Sequence, residues 1–118
     1  MKAPPMTVVE TPFFLRKAAI LLDEEERSEL VVFLGTNPDA GSVIPETGGV
    51  RKVRWGAQGR GKRGSFRVIY YFHSEGFPLF LLTVYSKNQK ANLTKAERNE
   101  FRKLIPILVK TYAQGRKR

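Results

Sequence analysis

The chain has 118 residues, 42% apolar and 11% aromatic, and carries a net charge of +10. It contains no cysteine and one histidine, His73, which excludes disulfides, thiolate metal sites and the common histidine-rich metal and acid–base arrangements. The amino terminus MKAPPMTVVE lacks the apolar core of a secretory signal, and no apolar run approaches the roughly 18 residues of a membrane span. The expectation is a soluble, cytoplasmic protein with no membrane partner, no metal and no cofactor. Its length fits one domain over residues 1–118. The charge is segregated: residues 1–46 balance at −4, whereas residues 47–118 balance at +14. A basic working half on a more acidic supporting half points to nucleic acid as the partner.

Residues 1–5 (MKAPP) offer two prolines and little to bury, and are expected to fray. Met6 to Glu10 is a short strand candidate for a sheet edge. Phe13 to Leu22 predicts a helix with Phe14, Ala18 and Leu21/Leu22 at helical spacing. Asp23 and Glu26 stand in capping-box positions for a second helix, and Glu24 to Glu26 suit its positive dipole end. Leu30, Val31, Phe33 and Leu34 give that helix an inward face, and Gly35 reads as its stop. The two form an αα-hairpin. Asn37 to Gly49 (NPDAGSVIPETGG) is a turn-rich connector without periodicity.

Gly48 to Asn88 reads as three antiparallel strands, each alternating with period two. In Arg51 to Trp55, Val53 and Trp55 share one face, Lys52 and Arg54 the other. Ser65 to His73 sets Phe66, Val68, Tyr70 and Phe72 against Arg67, Ile69 and Tyr71. Leu79 to Lys87 sets Phe80, Leu82 and Val84 against Thr83, Tyr85 and Lys87. Side by side, the apolar faces make half a core, and the other face gathers Lys52, Arg54, Arg67, Tyr71, Tyr85 and Lys87. No acid occurs between Glu46 and Glu75, so this face has no local neutralisation.

The loop Gly56 to Gly64 (GAQGRGKRG) matches two phosphate-loop patterns, but it runs into a strand instead of a helix, and Arg63 stands where magnesium binding needs Ser or Thr. It reads as a hairpin connection whose Arg60, Lys62 and Arg63 can reach a backbone phosphate. His73, beside a turn, reads as a surface residue. Tyr71 and Tyr85 suit either base stacking or ordinary sheet packing. Arg67 suits either phosphate or an ion pair with Glu97 or Glu100. Thr94 to Glu97 is a capping box opening a last helix, with Phe101, Leu104, Ile105, Leu108 and Tyr112 as its apolar stripe. Pro106 should kink or break that helix near Arg102 to Ile105, and Gln114 to Arg118 should be disordered. The elements make an α+β fold, a twisted antiparallel sheet of three to four strands packed against two N-terminal helices and one C-terminal helix.

The run GGVRKVR, then GRGKRGSFRVIYYF, then LLTVYSKN, then the Leu93-Thr94 helix start resembles a HigB-type toxin of the RelE/ParE superfamily, over about residues 45–98. The resemblance implies a small RelE-like fold and a bacterial, ribosome-dependent mRNA endonuclease that cuts the codon in the ribosomal A site. Its implied partners are ribosome, rRNA, mRNA and a cognate antitoxin, a HigA-like helix-turn-helix protein. Lys52 and Arg54 match the paired basic positions of the first central strand, Arg67 the arginine assigned to the scissile phosphate, and Lys87 a basic position ending the last strand. Leu93 stands where some members place a tyrosine, so that role is vacant or passes to Tyr85. The implied catalytic set is Arg54, Arg67, Tyr85 and Lys87. The implied RNA- and ribosome-binding set is Arg51, Lys52, Arg60, Lys62, Arg63, Tyr71 and Asn88.

Elementary chemistry is compatible with this. RNA cleavage can use the substrate's own 2′-hydroxyl as nucleophile, which leaves the protein to hold the phosphate in line and stabilise its growing charge. Arg and Lys suffice for that, without a metal. A non-catalytic RNA- or DNA-binding module would use the same basic face.

Overall fold

The computed structural model of the chain describes residues 6–56 and 66–116. Among these, a five-stranded sheet is packed with helices on both faces. The elements in chain order are β1 (Val8–Glu10), α1 (Pro12–Leu21), α2 (Glu24–Thr36), β2 (Ser42–Val43), β3 (Val50–Trp55), β4 (Phe66–Tyr71), β5 (Leu79–Ser86) and α3 (Lys95–Arg116). Their order in the sheet is β1-β5-β4-β3-β2.

The three central strands are those expected, and two short edge strands are added to them. β1 is the Met6 to Glu10 candidate, and it runs parallel to β5 from Val8↔Leu79 to Glu10↔Leu81. β2 lies inside the connector read as aperiodic, two residues being too short to show a period. Among the described residues the count is therefore five strands, not three to four, and the sheet is mixed. Edges this short leave little backbone for unwanted pairing.

Local chemistry explains the helix starts. Thr11 caps α1, its Oγ1 accepting from the Phe14 N–H at 3.3 Å while its hydroxyl donates to the Leu81 carbonyl at 2.7 Å, so one side chain fixes the helix start to β5. Pro12 follows in the first turn, where its missing donor costs nothing. Asp23 and the buried Glu26 form the capping box of α2. Gly35 does not stop α2, which continues to Thr36. Gly35 is buried there, and Asn37 ends the helix with backbone and side-chain donors to the Phe33 carbonyl. α3 likewise runs through Pro106 and as far as Arg116. A proline gives up one hydrogen bond, and the flanking turns hold the helix across the gap.

The first core joins Phe14, Ala18, Leu22, Leu30 and Leu34 of the helical hairpin to Phe66, Val68, Tyr70, Leu79, Leu81 and Val84 of the sheet. A second core on the opposite face joins Val50, Ile69, Tyr71, Phe80 and Leu82 to Leu93 and Ile105. Phe80 and Leu82 thus lie on the face opposite to the one alternation gave them. The cause is a β-bulge: Ile69 pairs with Thr83 and Tyr70 with Leu81, which leaves Leu82 as an extra residue in β5. One extra residue reverses the alternation on one side of it.

Tyr70, fully buried, anchors the connector: its hydroxyl donates to the Pro38 carbonyl and accepts from the Gly41 N–H, each at 2.8 Å. Gly41 has no room for a side chain, because a Cβ would stand 2.7 Å from the Lys52 carbonyl oxygen. Tyr70→Phe leaves the buried Gly41 donor unpaired and is expected to cost about 1–3 kcal/mol in urea unfolding. An unchanged midpoint would show that the connector is held by other contacts.

Candidate nucleic-acid interface

The strand register sets the site. Arg54 on β3 stands directly opposite Arg67 on β4, and Arg67 stands directly opposite Tyr85 on β5. The three form one row across the central strands. The next row is Lys52, Ile69 and Thr83, about 6.7 Å along the strands. Beyond it the same face becomes the second core, covered by α3. The face is therefore basic at one end and apolar at the other.

Two like charges directly opposite across strands destabilise a sheet. Among the acids of the flanking segments, Glu97 Oε2 meets Lys90 Nζ at 2.5 Å, and Glu46 Oε1 lies 4.0 Å from Arg98 Nε. Arg54 is exposed, and Arg67 is half-buried with Nη1 donating to the Phe66 carbonyl at 3.2 Å. Lys52 donates to Asn92 Oδ1 at 3.1 Å, which aims its ammonium along the face. Lys87 and Asn88 are exposed in the turn after β5, the Asn88 N–H donating to Ser86 Oγ at 3.2 Å.

Tyr85 is 5% exposed, its ring lies under the Lys90 ammonium at 4.9 Å, and its hydroxyl is buried with no hydrogen-bond partner among the described residues. Burial pushes that hydroxyl above the usual tyrosine range, although Arg67 pulls it back; Glu97 adds to the rise. It stays protonated at neutral pH. The Glu97 carboxyl shows the opposite balance. Burial alone would raise it, but hydrogen bonds from Lys90 and the Thr94 cap bring it below the usual glutamate range.

Some expected site residues are placed elsewhere. Arg51 points to the opposite side of β3, where its guanidinium donates to the Gly41 carbonyl at 2.7 Å and braces the connector. Tyr71 is buried in the second core with its hydroxyl 2.9 Å from His73 Nδ1, so it offers no stacking surface. His73 is exposed, and the same contact ties it to the sheet. Arg60, Lys62 and Arg63 lie outside the described residues. Conversely, Lys90 and Asn92 were not singled out by sequence. They sit in an irregular connector, where no periodicity marks them; only the capping box at Thr94–Glu97 hinted that the segment is pinned.

A family model described as the RelE toxin of the RelE / RelB toxin–antitoxin system matches residues 41–116. The chain belongs to the RelE toxin family. The match begins in the connector, spans β2 to β5 and ends with α3, so it contains every residue of the Arg54–Arg67–Tyr85 row. The protein is thus a toxin component of a toxin–antitoxin system, with an antitoxin as its partner. RelE toxins are endoribonucleases, which makes RNA cleavage the reaction class. No helix among the described residues of this RelE-family toxin is long and apolar enough to cross a membrane.

The opposed arginines yield a prediction about stability. Arg54→Thr removes the like-charge pair and adds a residue suited to strands, so it is expected to stabilise the fold by about 0.2–1 kcal/mol in chemical denaturation. A clear loss of stability would mean that Arg54 serves the fold.

Proposed function

We propose that this toxin is a HigB-type, ribosome-dependent mRNA endonuclease of the bacterial cytoplasm, which cuts the codon in the ribosomal A site and is neutralised by a HigA-like helix-turn-helix antitoxin. The observation that carries this reading is the row Arg54–Arg67–Tyr85, a pair of guanidiniums beside a buried, protonated phenol, set in a face with Lys52. In the reaction, the 2′-oxygen of one nucleotide attacks the adjacent phosphorus and the bond to the 5′-oxygen breaks. The products are a 2′,3′-cyclic phosphate and a 5′-hydroxyl, with the 2′-hydroxyl proton lost to a base and one proton delivered to the leaving oxygen. Charge on the non-bridging oxygens grows on the way to the transition state. Arg54 and Arg67 meet it with forked donors preorganised by the strand register. Burial keeps the Tyr85 hydroxyl protonated and out of solvent, so it backs the row, and the two guanidiniums are the groups that reach the phosphate. Lys52, Lys87 and Asn88 fit the role of holding the flanking RNA, a contribution that weakens with salt.

Arg67→Ala is expected to slow single-turnover cleavage on programmed ribosomes by about 2–4 kcal/mol, a hundredfold or more, while ribosome binding changes much less. Arg67→Lys is expected to restore part of the loss, because an ammonium keeps the charge without the fork. Near wild-type cleavage by folded Arg67→Ala protein would remove Arg67 from the site. An equal loss of binding and cleavage would favour a non-catalytic RNA-binding module.

A further inference from the structure

One cavity on this face is not used by the row of arginines. It has a volume of about 460 Å³ and opens beside Lys52, one strand repeat from Arg54. Ile44, Pro45 and Leu93 give it apolar walls, while Glu46, Asn92 and Arg98 supply polar groups from two separate segments. An apolar slot with a few convergent polar groups is the ordinary form of a small-ligand site.

Glu46 is held there at a conformational disadvantage. Its φ of 65° is the only positive value among described residues other than glycine. Left-handed backbone suits Gly or Asn, and a glutamate there is an outlier that invites a functional explanation. The surrounding turn is rigid. Buried Thr47 donates to the Ile44 carbonyl at 2.7 Å and accepts from the Val50 N–H at 3.0 Å, and Ile44 N–H donates to the Val50 carbonyl at 2.8 Å. The Glu46 side chain nevertheless remains 67% exposed, with Arg98 Nε 4.0 Å from its Oε1. Arg98 is itself fixed by donation to the Leu93 carbonyl at 3.0 Å. A carboxylate and a guanidinium thus stand side by side at the mouth of an apolar slot, too far apart to satisfy each other with a short hydrogen bond.

We infer that this cavity is a guanine-reading subsite, which takes a base of the RNA whose phosphate lies on Arg54 and Arg67. The inference rests on the proposed RNA-cleaving role of that row. Single-stranded RNA is read through splayed-out bases, by stacking and by hydrogen bonds to their edges. The Watson–Crick edge of guanine presents two adjacent N–H donors beside one carbonyl acceptor. Glu46 accepts the two donors, and Arg98 donates to the carbonyl. Pro45 and Leu93 cover the faces of the ring, and Asn92, tied to Lys52, closes the side toward the phosphate site. Adenine lacks the ring N–H, and uracil and cytosine offer a single donor position to the carboxylate. Specificity then comes from the Ile44–Val50 turn and the start of α3, and chemistry from the central strands.

Two measurements test this. In the first, nucleoside monophosphates are titrated into the full-length protein, followed by backbone amide resonances. GMP is expected to shift Glu46, Thr47 and Leu93 at concentrations where AMP, CMP and UMP do not. In the second, single-turnover cleavage is compared on ribosomes whose A-site codons differ in one base. Glu46→Gln is expected to reduce the ratio of guanine-codon to adenine-codon cleavage by about tenfold, within the range of one lost bidentate base contact. Glu46→Asn, which suits the positive φ, is expected to raise the melting temperature and reduce the same ratio, which separates base reading from folding. Cleavage without base preference, together with no selective GMP shift, overturns the subsite and leaves the proposed reaction standing. A selective GMP shift in a protein that cuts no RNA supports the subsite and overturns the reaction.

Discussion

Arg54 and Arg67 face each other across β3 and β4, and the arrangement of the whole sheet follows from keeping them there. Two guanidiniums in direct cross-strand opposition repel, so the register must be enforced from outside the pair. Val53↔Val68 supplies part of that on the helical-hairpin face, and Val50↔Tyr71 supplies more under α3. A slip of β3 by one residue would turn Val53 out of the first core and carry Arg54 into it, at a cost well above the repulsion avoided. The hydrophobic pattern therefore positions the two charges opposite each other.

The same face has to be core at one end and open at the other. The bulge at Leu82 accomplishes this by adding Phe80 and Leu82 to Ile69 and Tyr71, which gives α3 an apolar bed for Ile105. Past the bulge, Thr83 and Tyr85 return to the period that aligns Tyr85 with Arg67. The connector after β5 then bridges the two ends. Lys90 and Glu97 pin it over Tyr85, and Asn92 reaches Lys52. Bulges beside functional surfaces commonly re-aim side chains in this way.

Much of this was legible in the sequence. Alternation located the three central strands and placed Lys52, Arg54 and Arg67 on one face. Side-chain caps marked the starts of α2 and α3, because Asp23 and Thr94 have partners three residues on. Other features depended on tertiary structure. The bulge has no local signature, so Phe80 and Leu82 were assigned to the wrong core. Arg51 was counted among the RNA-binding residues, yet the pleat turns it to the connector, where a carbonyl oxygen is its partner. Tyr71 lies on the expected face but beneath α3, which alternation alone cannot show. Gly35 and Pro106 are weak formers of helix that packing overrides. The slot at Glu46 needed three dimensions, because Glu46 and Arg98 are brought together only when α3 folds back over the sheet.

The account holds that the basic end of this face meets mRNA within the ribosome. The most direct test incubates purified toxin with one mRNA, either naked or on ribosomes programmed with a defined A-site codon, and maps the 5′ ends produced. Cuts confined to the A-site codon, absent from naked RNA and suppressed by the antitoxin, are the predicted result. Cleavage of naked RNA at the same sites and rate, or no cleavage in either sample, would contradict it.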